Sequence, residues 1–577
     1  MQRAYIVRTS ALIVSLTLSL AGSWMFAGFI AADGSSALDW VRVTLFFASS
    51  FWLVWGGITG LLGVMTTFPA ARPVGRPKGM TAILMPVYNE DPAATFSRVA
   101  AMNRSLTQLG LADRFHFAIL SDSTSLDVAA AEAVWFERLV HEFNGEPRLF
   151  YRRRDRNTGK KAGNIQDFMV RSGGAYDYAL ILDADSLMDG ATIAAMACRM
   201  DADERLGLLQ TVPQVIHAKS LFGRLMQFSS AYLAPYFARG SELMAGNEGP
   251  YWGHNAIVRV PAFAACCGLP ELSGKPPSGG HILSHDYVEA ALLARGDWKV
   301  QLAPELGGSF EEGPENLVEY AKRDRRWCQG NLQHRRILLV PGLRLWSRFI
   351  FVQGIMAYLA SPLWLLLVAT SILATALPDR GLRGSEAGIW TLAVAVGTTL
   401  LLPKLLILIR NALTGQNDGA GGTLRATLSV LGEIVLSTLL APLLLCFQSR
   451  AVFQVLFGMD GGWPATKRSE GEIGVDDAFA ASWWIMLVAG IVVAITLAFS
   501  PRLLPWLLPV AIPALVAPLL ISWTSRSTRK PLLFRTAVEL NTPAIVTTQE
   551  QIFARWTAAE ADEHSEFPID GASYVRA

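Results

Sequence analysis

The chain has 577 residues, 51% of them hydrophobic and only 17% charged, below the roughly one quarter usual in soluble domains. Fifty Lys and Arg against 48 Asp and Glu leave a net charge of +2, which excludes a strongly basic nucleic-acid binder and implies no acidic partner. A mean hydropathy of +0.32 and 17 Trp point to a membrane protein, and five cysteines without metal-ligand or disulfide spacing point to a reducing compartment.

Two apolar stretches open the chain, residues 10–32 and 43–67, each long enough to span a bilayer and the first too long for a cleaved signal. Arg3 and Arg8 precede them, Asp33 and Asp39 lie between, and Arg72, Arg76 and Lys78 follow. The positive-inside rule then places the N-terminus and the segment after residue 72 in the cytoplasm, making 1–72 a transmembrane pair.

Residues 73–346 read as a polar globular domain. Strand-like runs at 81–87, 114–120, 148–151, 178–182 and 206–209 alternate with helical patterns at 91–106, 126–142, 163–170 and 191–199. Such alternation predicts an α/β domain, a mostly parallel sheet with helices on both faces, with ligands at the carboxyl ends of the strands.

Chemistry-bearing residues fall at those ends. The run 178–182 closes in Asp183-Ala184-Asp185; read as a continued strand, it sends both carboxylates into solvent on one side, which suits a divalent cation carrying a diphosphate. Asp185 is the expected direct ligand, with Asp183 beside it. Asn89 and Glu90, after the first strand, suit a nucleobase or ribose, or equally a helix cap. Asp122, after the second, offers an acceptor to uracil or ribose, or again a cap. The basic stretch 152–164, containing Lys161, ends at a helix start, where fixed cations and free amides suit phosphate. Asp286, in Ser284-His285-Asp286-Tyr287, is by itself a natural N-cap. Arg326 and Trp327 lie just before the membrane returns, where an indole is an interfacial anchor or a platform for a sugar or base.

Apolar segments resume at 349–377, 389–409, 427–457, 479–499 and 503–523. Five crossings would leave the tail outside, against Arg526, Arg529, Lys530 and Arg535. The segment 427–457 carries Glu433, Pro442 and Arg450, and is expected to be broken or re-entrant, partly interfacial, with both ends cytoplasmic. Residues 347–523 thus form the C-terminal membrane region, and 524–577 a polar cytoplasmic tail with acids near 560–566.

Taken in order, Asp122, Lys161-Ala162-Gly163-Asn164, Asp183-Ala184-Asp185, Gln210-Thr211-Val212-Pro213-Gln214, Gly253-His254-Asn255-Ala256, His285-Asp286 and Arg326-Trp327 resemble the motifs of the processive, inverting membrane glycosyltransferases with a GT-A-type domain, the group of cellulose and hyaluronan synthases. The wording around Gly253–Arg259, Ser284–Ala290 and Arg323–Asn331 is most similar to the osmoregulated periplasmic glucan branch. That resemblance implies UDP-glucose as donor, Mg²⁺ or Mn²⁺ as cofactor, a β-1,2-linked glucan as product, and a multi-pass protein of the bacterial inner membrane with a cytoplasmic catalytic domain. It also implies roles. Asp122 holds uridine, Asp183 the ribose or diphosphate side and Asp185 the cation; Asn89, Glu90, Lys161 and Arg326 join the donor site. Asp286 is the general base, and Trp327 stacks where the two sugars meet. Gln210, Gln214, Gly253, His254, Asn255 and His285 line the acceptor site, and 458–468 takes the place of a gating loop. An acyl carrier protein and periplasmic glucan-modifying proteins are the partners implied beside the bilayer.

Two positions depart from cellulose synthases, His285 before the catalytic Asp and Arg323 three residues before Arg326, so acceptor geometry and linkage are not carried over from them. The chain also begins almost directly at its first membrane segment, without the long N-terminal extension of some relatives. A glucan cannot enter hydrocarbon with unsatisfied hydroxyls, so export calls for a polar and aromatic path, with Trp364 and Trp484 as candidates beside a lipid-anchoring role. The competing readings are a lipid-linked sugar transferase and a glycan transporter.

Overall fold

The protein is described by a computed structural model covering residues 2–30, 36–69, 75–376, 386–460, 471–499, 501–528 and 532–566. Two long helices come first, α1 (Gln2–Ile30) and α2 (Ala37–Val64). Ser36 and Asp39 cap each other's backbone at the start of α2, satisfying two of the amides a helix N-terminus leaves without partners.

The polar domain follows as β1 (Thr81–Val87), α3 (Pro92–Gln108), β2 (Phe115–Ser121), α4 (Leu126–Glu142), β3 (Leu149–Arg153), α5 (Lys160–Arg171), β4 (Tyr178–Ile181), β5 (Leu187–Met188) and α6 (Gly190–Ala202). It continues through β6 (Leu206–Thr211), β7 (Gln214–Ile216), α7 (Leu221–Phe228), α8 (Ala234–Ala245), β8 (Ala256–Arg259), α9 (Val260–Cys266), α10 (His285–Arg295), β9 (Lys299–Ala303), β10 (Ser309–Glu312) and α11 (Leu317–Gln333). Every predicted strand and helix of this domain is present, with ends shifted by at most three residues. The strands not predicted, β5 and β7 to β10, are two to five residues long, too short to show a period of their own.

The large sheet has the order β3-β2-β1-β4-β8-β6-β9, and β5, β10 and β7 form a second, small sheet. In the large sheet only β8 runs antiparallel to its neighbours, β4 and β6. Alternate residues face opposite layers, as strand geometry requires. Ile83, Met85, Phe117, Ile119 and Leu180 pack under α3, α4 and α6, while Ala82, Leu84, Ala118, Leu120, Ala179 and Ile181 pack with residues of α5, α9 and α10. The chain leaves β1 for β2 on one side and later returns to β4 on the other, so the crevice at their carboxyl ends is the switch point of the sheet.

The remaining helices are α12 (Leu345–Ala376), α13 (Glu386–Leu413), α14 (Thr423–Leu456), α15 (Val475–Phe499), α16 (Leu504–Leu515), α17 (Ala517–Ser525), α18 (Ala537–Leu540) and α19 (Ala544–Glu566). Among the described residues, six helices are long and apolar enough to cross a membrane: α1, α2, α12, α13, α14 and α15. The expected break in 427–457 is absent, since α14 is one continuous helix of 34 residues that carries Pro442 inside it. At about 1.5 Å per residue it is longer than the roughly 30 Å of hydrocarbon. The break lies instead between α16 and α17, which meet at 57°.

Helices of the polar domain and the apolar helices are in intimate contact. A Cβ on Gly63 of α2 would lie 1.7 Å from the Tyr236 carbonyl oxygen, and one on Gly240 of α8 would lie 1.9 Å from that of Thr59, so only glycine allows these backbones to approach so closely. The tail is also anchored. Helix α19 lies on α3 and α4, burying Ile545, Val546, Ile552 and Trp556 in the main core, and Trp556 faces Trp135 at 5.4 Å between ring centres.

Candidate active site

The turn after β1 is built by Asn89, whose backbone is left-handed (φ 58°). Its side-chain oxygen accepts from the amides of Thr124 and Ser125, at 3.0 and 2.9 Å, tying the end of β1 to the end of β2. The Glu90 carboxylate accepts from the Tyr88 amide. The cap of α3 is neither of these but Asp91, which accepts from Ala93 N at 3.0 Å. Asn89 and Glu90 line a cavity of about 1180 Å³ that is also lined by Arg98, Glu312 and residues of α18 and α19.

Asp122 is buried, and both its oxygens accept from Arg154, at 2.7 and 2.8 Å. The basic stretch is therefore internal bracing as much as open charge. Arg152 pairs with Asp167, Arg153 reaches the Ser123 carbonyl and Arg154 holds Asp122. Gly163 is required at the start of α5 because a Cβ there would lie 2.1 Å from the Thr158 carbonyl oxygen.

From the same turn of α5, Lys161 pairs with Asp183 and donates to the Gly253 carbonyl at 2.7 Å. Asp183 and Asp185 do not continue β4. They lie in a turn closed by the Ser186 amide donating to the Asp183 carbonyl at 3.0 Å, so strand alternation does not set their directions. The expectation of two carboxylates in solvent is corrected accordingly: the Asp183 side chain is 36% exposed, whereas Asp185 is buried. Burial alone would raise the Asp183 carboxyl, but Lys161, His254 and Arg323 outweigh it and hold the group well below the usual carboxylate range. Arg98 of α3 fixes the turn from behind, donating to the Ala184 carbonyl at 3.0 Å and pairing with Glu312.

His254 links this turn to the small sheet. Its Nε2 lies 2.8 Å from a Glu311 oxygen and its Nδ1 3.7 Å from Asp183. Burial would lower its pKa, but the charges of Asp183 and Glu311 prevail and push it up to about 9, so the imidazole is cationic at neutral pH. Gln210 and Asn255, expected at the acceptor surface, are fully buried behind it. Gln210 accepts from Trp252 N and donates to the His254 carbonyl, both at 3.0 Å; Asn255 donates to Ser309 Oγ at 2.9 Å. They hold the 252–255 loop in place rather than present their own amides. Gln214 starts β7, opposite Phe310 of β10.

Asp286 stands in the first turn of α10 against this loop, with one carboxylate oxygen 3.4 Å from where a Cβ on Gly253 would be. Burial is the main cause that pushes its pKa up to about 6, against the opposing charge of His285. His285 is itself buried, with Nδ1 3.1 Å from Glu289. Trp327 of α11 is 41% exposed, and the Arg323 guanidinium lies over its ring at 4.6 Å, covering one indole face. Thus Lys161, Asp183, Gly253, His254 and Asp286 meet at one point, while Gln210, Asn255 and His285 stand behind it. Sequence reasoning passed over Arg98, Arg154, Glu289 and Glu311. Arg154 was visible only as one of several basic residues, and Glu311 lies in a strand too short to register.

Such a site offers cations and a turn of carboxylates on one side of a crevice, and a carboxyl group of near-neutral pKa on the other. Among the described residues no three His, Cys, Asp or Glu side chains are grouped to hold a metal ion unaided.

The family described as Glycosyl transferase family 2 matches residues 82–266, and Glycosyl transferase family group 2 matches residues 178–408. A glucans biosynthesis glucosyltransferase H of Cereibacter sphaeroides is 49% identical over 572 residues, covering 96% of each chain. One of Rhodopseudomonas palustris is 38% identical over 566 residues, 93% of this chain and 78% of the relative. A mannosyltransferase from Pyrobaculum calidifontis, solved with GDP-Man and Mn²⁺, covers 73% of this chain and 100% of its own, with 14% identity and a TM-score of 0.44.

Proposed function

The chain belongs to the glucans biosynthesis glucosyltransferase H family and is a glucan-synthesising glycosyltransferase; from that premise we propose that it polymerises glucose from UDP-glucose into a β-1,2-linked glucan and passes the product across the bacterial inner membrane. The convergence of Lys161, Asp183 and Asp286 carries the enzymatic part of this reading.

In the proposed reaction the donor diphosphate lies at the turn after β4, met by Lys161 and cationic His254, with the uridine toward Asn89, Glu90 and Asp122. Asp183 and Asp185 are the residues that would hold Mg²⁺ or Mn²⁺, whose chemistry there would be to offset the negative charge gained by the leaving diphosphate. The donor set fits that demand, because an octahedral cation on a nucleotide takes one or two protein carboxylates and draws its other ligands from phosphate and water. Asp286 accepts the proton of the acceptor hydroxyl as that oxygen attacks the anomeric carbon from the opposite face. A carboxyl group held near pH 6 is mostly ionised in a neutral cell yet more basic than an ordinary aspartate. A single displacement inverts the anomeric centre, turning an α-linked donor into a β-linked product.

Trp327 supplies the acceptor platform through the indole face that Arg323 leaves open. His254 and the Gly253 backbone complete the acceptor wall, with Gln210, Gln214, Asn255 and His285 supporting it. Arg326 is assigned to the donor side.

A topology of six crossings accounts for the membrane region, with the catalytic domain and both termini on the cytoplasmic side. Arg8 of α1 lies 3.6 Å from Glu248 of the polar domain, which supports a cytoplasmic N-terminus. Both ends of α14 touch that domain or its neighbours: Phe534 N donates to Ser429 Oγ at 3.0 Å, and Arg325 of α11 donates to Gln454 at 2.7 Å. Helix α14 therefore lies along the cytoplasmic face without crossing, and the α16–α17 pair supplies the sixth crossing after α1, α2, α12, α13 and α15. Ile473 before α15 and Ser525 at the end of α17 are joined at 2.9 Å, while Trp390 and Trp506 meet 4.9 Å apart at the far ends of α13 and α16. The tail then returns to the catalytic domain through α19. Of the gating-loop segment 458–468 only residues 458–460 are described, where Gln329 donates to Asp460 at 2.9 Å; residues 461–468, like Arg529 and Lys530, lie outside the described residues.

Purified protein in sealed vesicles, supplied outside with labelled UDP-glucose and Mg²⁺, tests the reading. The expected result is a β-1,2-linked polymer in the lumen with UDP released outside. A single glucose on an isoprenoid phosphate, or polymer confined to the outside, contradicts it.

A further inference from the structure

Helix α11 does two things at once. Its middle presents Trp327, and its C-terminal end grips the loop that leads into Asp286. Gly330 and Gln333 of α11 and His334, the residue that caps its C-terminal end, follow one another at helical spacings of three and four residues. Gly330 is pressed against Ser284, where a Cβ would lie 2.3 Å from Ser284 Oγ. The buried Gln333 amide makes three bonds to the loop, accepting from Leu283 N at 2.9 Å and donating to the carbonyls of Gly279 and His281, each at 3.2 Å. His334, fully buried between Tyr287 and Phe351 of α12, bonds through Nε2 to the Ser284 carbonyl at 3.0 Å. Two exposed arginines extend the grip along the loop: Arg335 donates to Ser278 Oγ and Arg336 to Ser273 Oγ, both at 2.7 Å.

The Ser284 side chain makes no bond to the amides at the start of α10. Within α10 the Asp286 carboxylate meets the Tyr287 amide, and the loop that carries it into the helix is held by the end of α11. We propose that Gln333 and His334 are positioning residues, a latch through which α11 holds Asp286 at the distance from Gly253 that proton transfer requires, so that the helix carrying the acceptor platform also aims the base. This rests on the assignment of Asp286 as the base. An error of about 1 Å in such an alignment can cost on the order of 10²-fold in rate.

Turnover, UDP affinity and the kcat–pH profile of Gln333→Leu, His334→Leu and His334→Gln in the full-length protein test the latch. Gln333→Leu and His334→Leu should lower kcat roughly 10–100-fold with UDP affinity unchanged. His334→Gln, whose amide nitrogen stands near the position of Nε2, should restore most of the rate. Loosening the loop admits water to Asp286, so the acid limb should move below its wild-type position near 6. The other ionisable groups facing that carboxyl, His285 and Glu289 on α10, Lys161 on α5 and the Tyr251 and Tyr287 phenols, are left unchanged. If the buried substitutions prevent folding, exposed Arg336→Ala should still lower kcat a few-fold. Wild-type kcat and an unmoved limb, or a parallel fall in UDP affinity, overturn the latch. Asp286→Asn assayed alongside separates the two claims. A fully active Asp286→Asn removes the base and the latch together; an inactive one beside wild-type latch variants removes the latch alone.

Discussion

Lys161 and Asp183 form an ion pair across the crevice of the sheet, joining the first turn of α5 to the turn that follows β4. The same ammonium group donates to Gly253, against which Asp286 rests, so one side chain spans the proposed donor and acceptor halves of the site.

Lys161→Met should therefore weaken UDP binding. A hydrogen bond to a charged group is worth about 1.5–3 kcal/mol, which corresponds to roughly a 10–150-fold rise in Kd by titration calorimetry. Asp183 should titrate at higher pH in the variant, because its largest opposing charge is gone. An unchanged Kd contradicts the donor assignment.

Turnover should follow a bell in pH. Rate rises as Asp286 loses its proton near 6 and falls at alkaline pH as His254 loses the charge that Asp183 and Glu311 favour. His254→Gln should flatten the alkaline limb and leave the acid limb in place. The loss of one limb without the other, read from initial rates, is the diagnostic outcome.

Stability should carry the opposite sign from activity at Asp286. Its folded pKa near 6 lies above the ordinary 3.8, so its ionisation opposes folding as pH rises from about 4 to above 6. The cost at pH 8 is on the order of 3 kcal/mol. Asp286→Asn should raise the melting temperature at pH 8 and leave it unchanged near pH 4. Equal shifts at both pH values would remove burial as the cause of the raised pKa.

The C-terminal helix should behave as part of the catalytic domain's core. Trp556 is buried against Trp135, and its carbonyl accepts from Arg138 at 3.2 Å. Trp556→Ala should cost about 3–5 kcal/mol, read as a lower melting temperature of the detergent-solubilised protein. A wild-type melting curve would mean that α19 is loosely held.

The α/β frame was legible because each long strand is built around an apolar run and helical patterns alternate with these runs; α4, for example, spans residues 126–142 as expected. The acids at strand ends were legible too, since sheet topology puts ligands there. What failed were arguments that extrapolate local geometry. The parity rule for Asp183 and Asp185 stops where β4 becomes a turn. The segment 427–457, expected to be broken or re-entrant because it carries Glu433, Pro442 and Arg450, is instead the continuous α14, in which Glu433 pairs with Lys404 of α13 at 2.7 Å. Gln210 and Asn255 belong to motifs of the resemblance, yet no sequence pattern distinguishes an amide that faces a ligand from one that braces the loop behind it.

The most direct measurement compares wild type and Asp286→Asn for UDP release and glucan length at saturating UDP-glucose and Mg²⁺, with UDP affinity determined on the same samples. The account predicts equal affinity and a fall in elongation of about 10²–10⁴-fold, the range of general-base assistance. Elongation by Asp286→Asn at the wild-type rate would contradict it.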